Sequence, residues 1–314
     1  MARRRKLPNH PANLPQPRGP VAQPFANIIE AMTTRAKRRL MIIGSGALLL
    51  LGVAANQLTS IGAALILHPV HRHVVVAPPP GCHEVTFSGE GVSLRGWRGQ
   101  ASGDRRGTLI YLHGVADNRA SSAGVIERFR KRGFDVVAYD SRAHGESGGE
   151  SCTYGFFEKE DLRRVMDTFD PGPVVLVGSS LGAAVALQVA AVDRRISAVV
   201  AAESFSDLRT VVTERAPFVF TADTVSRAVK LAEQKGNFQM DAVSPVLAAR
   251  TITAPVLLIH GASDSETPPE HSRRVFAALA GPKRLILVPG ARHNESLQGN
   301  IWEDIERWID TIVP

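Results

Sequence analysis

A serine hydroxyl attacks a carbonyl only when a neighbouring base takes its proton and a carboxylate orients that base. The chain carries Gly-x-Ser-x-Gly twice, at Gly178-Ser179-Ser180-Leu181-Gly182 and at Gly145-Glu146-Ser147-Gly148-Gly149. A reactive serine in this pattern needs a strand before it and a helix after it, because the tight turn between them lifts the hydroxyl clear of its neighbours. Val174-Val175-Leu176-Val177 precedes the first match, and an alanine-rich apolar run at 181–192 follows it. The second match is followed by Glu150-Ser151-Cys152-Thr153, which has no helical period. Ser180 is the expected nucleophile, and Ser147 is expected in a loop.

The partners should lie at the ends of later strands, in the order serine, acid, histidine. His293 follows an apolar run at 285–288 and is the expected base. Asp264 follows the run at 256–259 and is the expected acid. Glu203, after the run at 198–202, is the competing acid; Asp264 is preferred because it comes later in the chain. His144, in the loop 141–149, is the competing base. His260 reads as a buried structural group, His271 as the start of a surface helix, and Asp140 as a brace for its loop through Arg142. A developing oxyanion needs two backbone N–H donors. Leu181, at a helix start, is one candidate. Val115, in His113-Gly114-Val115 after the apolar run 108–112, is the other.

The elements that would position these groups alternate. Residues 85–88 and 92–99 read as an opening antiparallel pair. Apolar strands at 108–112, 136–139, 174–177, 198–202, 256–259 and 285–288 are separated by helical patterns near 121–132, 156–169, 181–192, 273–280 and 301–312. Continuous apolar strands between amphipathic helices indicate a parallel sheet covered on both faces.

The motifs Leu112-His113-Gly114, Asp140-Ser141-Arg142-Ala143-His144-Gly145, Gly178-Ser179-Ser180-Leu181-Gly182, Gly261-Ala262-Ser263-Asp264 and Gly290-Ala291-Arg292-His293 together resemble the bacterial α/β-hydrolase serine enzymes of the esterase, lipase and serine-aminopeptidase-like lineage. The likeness is to the small-capped, membrane-anchored members and covers about 84–313. It implies an α/β-hydrolase fold with a mostly parallel eight-stranded sheet, helices on both faces and a small helical cap at about 204–254. It also implies Ser180, Asp264 and His293 as a triad, and no cofactor or metal. The expected substrate is a small-molecule or lipid-like acyl ester or thioester. An aminopeptidase or amidase, with Glu203 binding the amine, is the second reading, and a non-catalytic membrane-tethered binding protein the third. His113, His144, Glu203, Phe205, Phe218 and Phe220 are the candidates for the pocket wall.

Charge and hydropathy set the organisation. The net charge of +7 resides in the first forty residues, which hold nine basic side chains and one acid, Glu30. The near-neutral remainder excludes the electrostatic footprint of a nucleic-acid binder. Residues 1–39 read as a disordered Pro-rich basic tail, 40–67 as a transmembrane anchor, 68–83 as a linker and 84–314 as the hydrolase domain. The stretch 40–67 has no charge and exceeds the ~20 residues needed to span a bilayer. Arg35, Lys37, Arg38 and Arg39 precede it, so the N-terminus is expected in the cytoplasm and the body outside it. A signal peptide cleaved at Val53-Ala54-Ala55 is the competing reading. Cys82 and Cys152 are expected to be unpaired thiols.

Overall fold

Runs of valine, leucine and isoleucine with no polar alternation form the centre of a sheet. In the computed structural model, which describes residues 33–314, the strands are β1 (Cys82–Ser88), β2 (Ser93–Gly99), β3 (Gly107–Leu112), β4 (Phe134–Tyr139), β5 (Val174–Ser179), β6 (Ile196–Ala202), β7 (Val256–Gly261) and β8 (Lys283–Val288). They make one eight-stranded sheet in the order β1-β2-β4-β3-β5-β6-β7-β8. β2 is antiparallel to both β1 and β4, and every other pairing is parallel. All residues of β3, β4, β5 and β7 are buried, as a sheet covered on both faces requires.

Successive side chains on a strand point to opposite faces, so each strand feeds two cores. Ile110, Leu112 and Leu176 pack with Leu162, Leu187 and Val275 from α3 (Glu158–Met166), α4 (Leu181–Ala190) and α8 (Glu270–Ala278). Leu109, Tyr111, Val175 and Val177 pack on the other face with Phe129, Ile305 and Ile309 from α2 (Ala123–Arg130) and α9 (Ile301–Asp310).

The cap follows β6. It consists of α5 (Leu208–Glu214), α6 (Ala222–Gly236), a single 3-10 turn Met240–Ala242 and α7 (Pro245–Ala249). Asp207, Thr221 and Ser244 start its helices by accepting the Thr210, Thr224 and Leu247 amides. Phe205, Leu208, Val211, Val229, Phe238 and Met240 form a third apolar cluster beneath it.

The chain divides into two units, Met1–Ala55 and Asn56–Pro314. The described part of the first is the beginning of a 34-residue helix, α1 (Thr34–Leu67), of mean hydropathy 1.7 in its apolar window. Leu40, Met41, Ile42, Ile43, Leu48, Leu49 and Leu50 on it are exposed. Of the tail expected at 1–39, residues 1–32 lie outside the described residues, and 34–39 are the helical start of α1 rather than disordered.

The last turns of α1 belong to the second unit, and here the expected division into anchor and linker changes. Ala63, Ile66 and Leu67 are buried in the third cluster. Burying each of the two larger side chains contributes about 1.5–3 kcal/mol. The carbonyls at a helix C-terminus need outside donors. Ile66 O accepts from the Tyr154 hydroxyl at 2.9 Å and Leu67 O from the Cys152 amide at 2.8 Å. Residues 56–67 are therefore part of the second unit. The sheet begins at Cys82, two residues before the expected domain start. Cys82 and Cys152 are both free thiols.

Candidate active site

Ser180 sits between β5 and α4 with φ +50° and ψ −109°, a conformation that side chains larger than glycine rarely adopt. The strain persists because the surroundings over-determine it. The Ser180 amide donates to Ala202 O at 2.8 Å, and the Gly182 amide donates to His113 O at 3.1 Å. A Cβ on Gly182 would stand 2.1 Å from Leu112 O, and one on Gly178 would stand 2.4 Å from the Gly182 backbone. Only glycine permits that approach of helix to strand.

His293 lies in the loop after β8. Its Nε2 is 3.1 Å from Ser180 Oγ, and its Nδ1 is 2.6 Å from Asp264 Oδ2. Asp264 follows β7, and its Oδ1 accepts the Glu266 and Thr267 amides, each at 2.9 Å. Burial alone would raise the Asp264 pKa. Hydrogen bonds from His260, His293 and the Thr267 amide outweigh it and hold the carboxyl well below its usual range. An ionised Asp264 fixes the tautomer: Nδ1–H donates to the carboxylate, and Nε2 is left to accept from Ser180. The sequence expectation thus brings Ser180, Asp264 and His293 into one hydrogen-bonded line.

Val115 and Leu181 line the same cavity as Ser180. No backbone acceptor in the described chain takes either amide, so both donors remain available. The loop that carries Val115 is fixed by Asn118, which accepts the Ala120 amide and donates to Arg72 O at 2.8 Å.

The cavity over Ser180 has a volume of about 350 Å³. Its wall is mostly apolar: Phe205, Leu208, Val211 and Phe220 come from the cap side, and Gly62, Leu65 and Ile66 from the end of α1. Arg215, which follows α5, is its one charged lining residue among those described. Arg215 Nη2 lies 3.3 Å from His293 Nε2, and Nε donates to Glu266 O at 2.8 Å.

Several sequence expectations change. Phe205 and Phe220 line the cavity, but Phe218 is 99% exposed. The turn Pro217–Phe220 puts its ends against the cavity and its middle outside. Glu203 touches neither ring nitrogen of His293 and is not part of the wall. It is buried, and its carboxylate accepts the Asn294 amide at 2.5 Å and the Ser296 amide at 3.0 Å, which pins the loop of His293. His113 is buried too; its Nδ1 meets Gly114 O, and its Nε2 accepts the Ser141 amide at 3.0 Å. His144 packs edge-on against His113, with ring centroids 5.2 Å apart. Burial and the neighbouring His113 push its pKa down to about 3, so it is a poor base. Neither histidine lines the cavity.

Three pairings differ as well. Asp140 pairs with buried Arg119 rather than Arg142. Arg142 instead forms a two-pronged pair with Asp161, at 2.7 and 2.8 Å. His271 begins α8, as expected, but its side chain is buried and bridges Ser206 to Glu214 of the cap. Sequence reasoning missed Arg215 and the α1 residues of the wall. No motif surrounds Arg215, and 40–67 reads as uniformly apolar, so only the packing of the cap reveals both.

A family model described as alpha/beta hydrolase fold matches residues 107–230. The uncharacterized protein YqkD of Bacillus subtilis is 30% identical over 223 residues, covering 68% of this chain and 73% of its own. Among solved structures, the Pyrococcus furiosus esterase Pf2001 aligns with TM-score 0.60 at 23% identity, over 77% of this chain and 97% of that one. The Pyrococcus horikoshii acylaminoacyl peptidase aligns with TM-score 0.58 at 14% identity, over 74% of this chain and 41% of that one. At these identities the two structures share the fold.

Proposed function

The chain belongs to the α/β-hydrolase fold family, and on that premise we propose that it is a serine hydrolase cleaving a carboxylic ester or thioester through an acyl-enzyme. The observation that carries this reading is the line Ser180 Oγ, His293, Asp264, with contacts of 3.1 and 2.6 Å, whose serine lines an apolar cavity. His293 Nε2 takes the Ser180 proton as Oγ adds to the carbonyl carbon. The Val115 and Leu181 amides hold the oxyanion. The imidazolium returns its proton to the leaving oxygen or sulfur, and the C–O or C–S bond breaks. Water, deprotonated by His293, then releases the acid from Ser180. Asp264 stays ionised throughout and stabilises the imidazolium.

Ester or thioester cleavage is favoured over aminopeptidase action by the charge of the wall. A free amine needs a carboxylate in the pocket, whereas Glu203 is occupied by two amides and the charged lining group is Arg215. The hydrogen-bonded line of Ser180, His293 and Asp264 favours catalysis over the binding-protein reading. The discriminating experiment is a panel of nitrophenyl esters, acyl thioesters and aminoacyl amides offered to the full chain and to Ser180→Ala. Ester or thioester turnover that vanishes in the variant supports the proposal. Turnover confined to aminoacyl amides, or persisting in the variant, refutes it.

We also read α1 as a retained membrane anchor with a cytoplasmic N-terminus. Its support is a long apolar helix behind Arg35, Lys37, Arg38 and Arg39. A body that resists protease added to intact spheroplasts refutes that topology, and a mature chain beginning near Asn56 refutes retention.

A further inference from the structure

The charged group in the cavity wall is a cation placed where it opposes the chemistry. Arg215 Nη2 is 3.3 Å from His293 Nε2, on the atom that Ser180 must use. A guanidinium has donors only, so it competes with the serine hydroxyl for the single Nε2 lone pair. Once Nε2 is protonated, an imidazolium stands beside a fixed positive charge, and the two repel.

Among the described residues, the cation's one ion pair is long and faces solvent. Its short contacts are neutral: Glu266 O, the Thr267 hydroxyl and the imidazole. The nearest carboxylate is that of Glu266, 3.9 Å away and 66% exposed. Adjacent Glu214 is bound to His271 at 2.7 Å. The rest of the cavity wall is apolar or uncharged.

We propose that Arg215 is an anion subsite on the leaving-group side of the scissile bond, so that the preferred substrate joins an apolar acyl chain to an alcohol or thiol carrying a carboxylate or phosphate. The side follows from the geometry, because Nε2 is the atom that hands the proton to the leaving group. A group within reach of Arg215 lies alongside that leaving atom, and the acyl chain has the apolar wall of Gly62, Leu65, Phe205 and Phe220. An anion there draws the guanidinium away from Nε2 and cancels its repulsion of the imidazolium. Arg215 acts as a specificity-determining residue, and the inference rests on the ester-cleaving reading above.

Three butyrate esters test it with the full-length chain in detergent: 3-carboxyphenyl, 3-phosphonophenyl and, as neutral control of similar size, 3-carbamoylphenyl. In the native protein kcat/KM should favour at least one anionic ester by about tenfold, the scale of a charge-assisted hydrogen bond. The faster of the two identifies the oxyacid. The preference should shrink as salt rises to about 0.5 M and fall to near one in Arg215→Gln, with Arg215→Lys in between. A ratio at or below one in the native protein, or one unchanged in Arg215→Gln, overturns the proposal. If Arg215→Gln does not fold, the native ratio and its salt dependence decide alone. Labelling of Ser180 by a fluorophosphonate reports the hydrolase reading separately, so a labelled protein with a flat ratio sinks the subsite only.

Discussion

Ser180 and Ser147 occupy the same five-residue pattern, yet their surroundings differ at every level. Gly178–Gly182 joins a fully buried strand to a fully buried helix, and its serine is held at φ +50°. Gly145–Gly149 is irregular, and Ser147 is not among the residues with positive φ. The Ser147 hydroxyl proton is committed: it donates to Asp140 O at 2.5 Å, and the oxygen accepts the Arg95 amide at 2.9 Å. Ser180 Oγ has one side-chain partner, His293, and faces a cavity. Five letters set only local possibility. A hydroxyl becomes available when packing imposes a strained backbone and leaves its second hydrogen-bonding site open.

The largest test of this contrast is paired alanine replacement. Ser180→Ala should lower ester turnover by about 10⁶-fold, the scale of losing an activated nucleophile. Ser147→Ala should leave turnover within a few-fold, and equal losses in both would erase the distinction.

Next in size is the orientation of the base. Asp264→Asn should cost about 10⁴-fold in kcat by favouring the wrong imidazole tautomer. The same residue shapes acid stability. Its folded pKa is depressed, so its stabilisation is complete above the unfolded Asp value of ~3.9 and is lost as pH falls toward the folded value. Urea midpoints measured from pH 6 to pH 2 should therefore decline less steeply in Asp264→Asn than in the native chain. A steeper decline would contradict the sign.

Glu203→Gln removes a carboxylate that holds two amides of the His293 loop, and a misplaced base costs up to about 10²-fold. The expected signature is a lowered kcat with little change in KM. A loss as large as that of Asp264→Asn would make Glu203 the acid after all.

The smallest effect is on folding alone. Ser147→Ala strands the Arg95 amide, at a cost of about 1–3 kcal/mol visible as a lower denaturant midpoint.

What could be read from the chain follows from how local each feature is. The parallel sheet is written in β3, β4, β5 and β7 as uninterrupted apolar runs, and Ser180, Asp264 and His293 each sit just beyond such a run. Partners chosen across space are not written locally. Arg119 rather than Arg142 meets Asp140, although Arg142 is the closer in sequence. Glu203 has the right type and place for a catalytic acid, but its φ of +56° turns it toward the Asn294 and Ser296 amides instead. The α1 residues in the cavity wall look like more of the same apolar stretch until the cap packs on them. A chain trimmed to residue 84 would lose that wall, so activity should be measured on the full chain.

An activated Ser180 hydroxyl should react with a fluorophosphonate, so the full-length chain is treated with one and the modified residue mapped by peptide mass spectrometry. One adduct is expected, on the peptide containing Ser180, and it disappears in Ser180→Ala. An adduct on Ser147 or any other serine, or labelling that survives in Ser180→Ala, would contradict it.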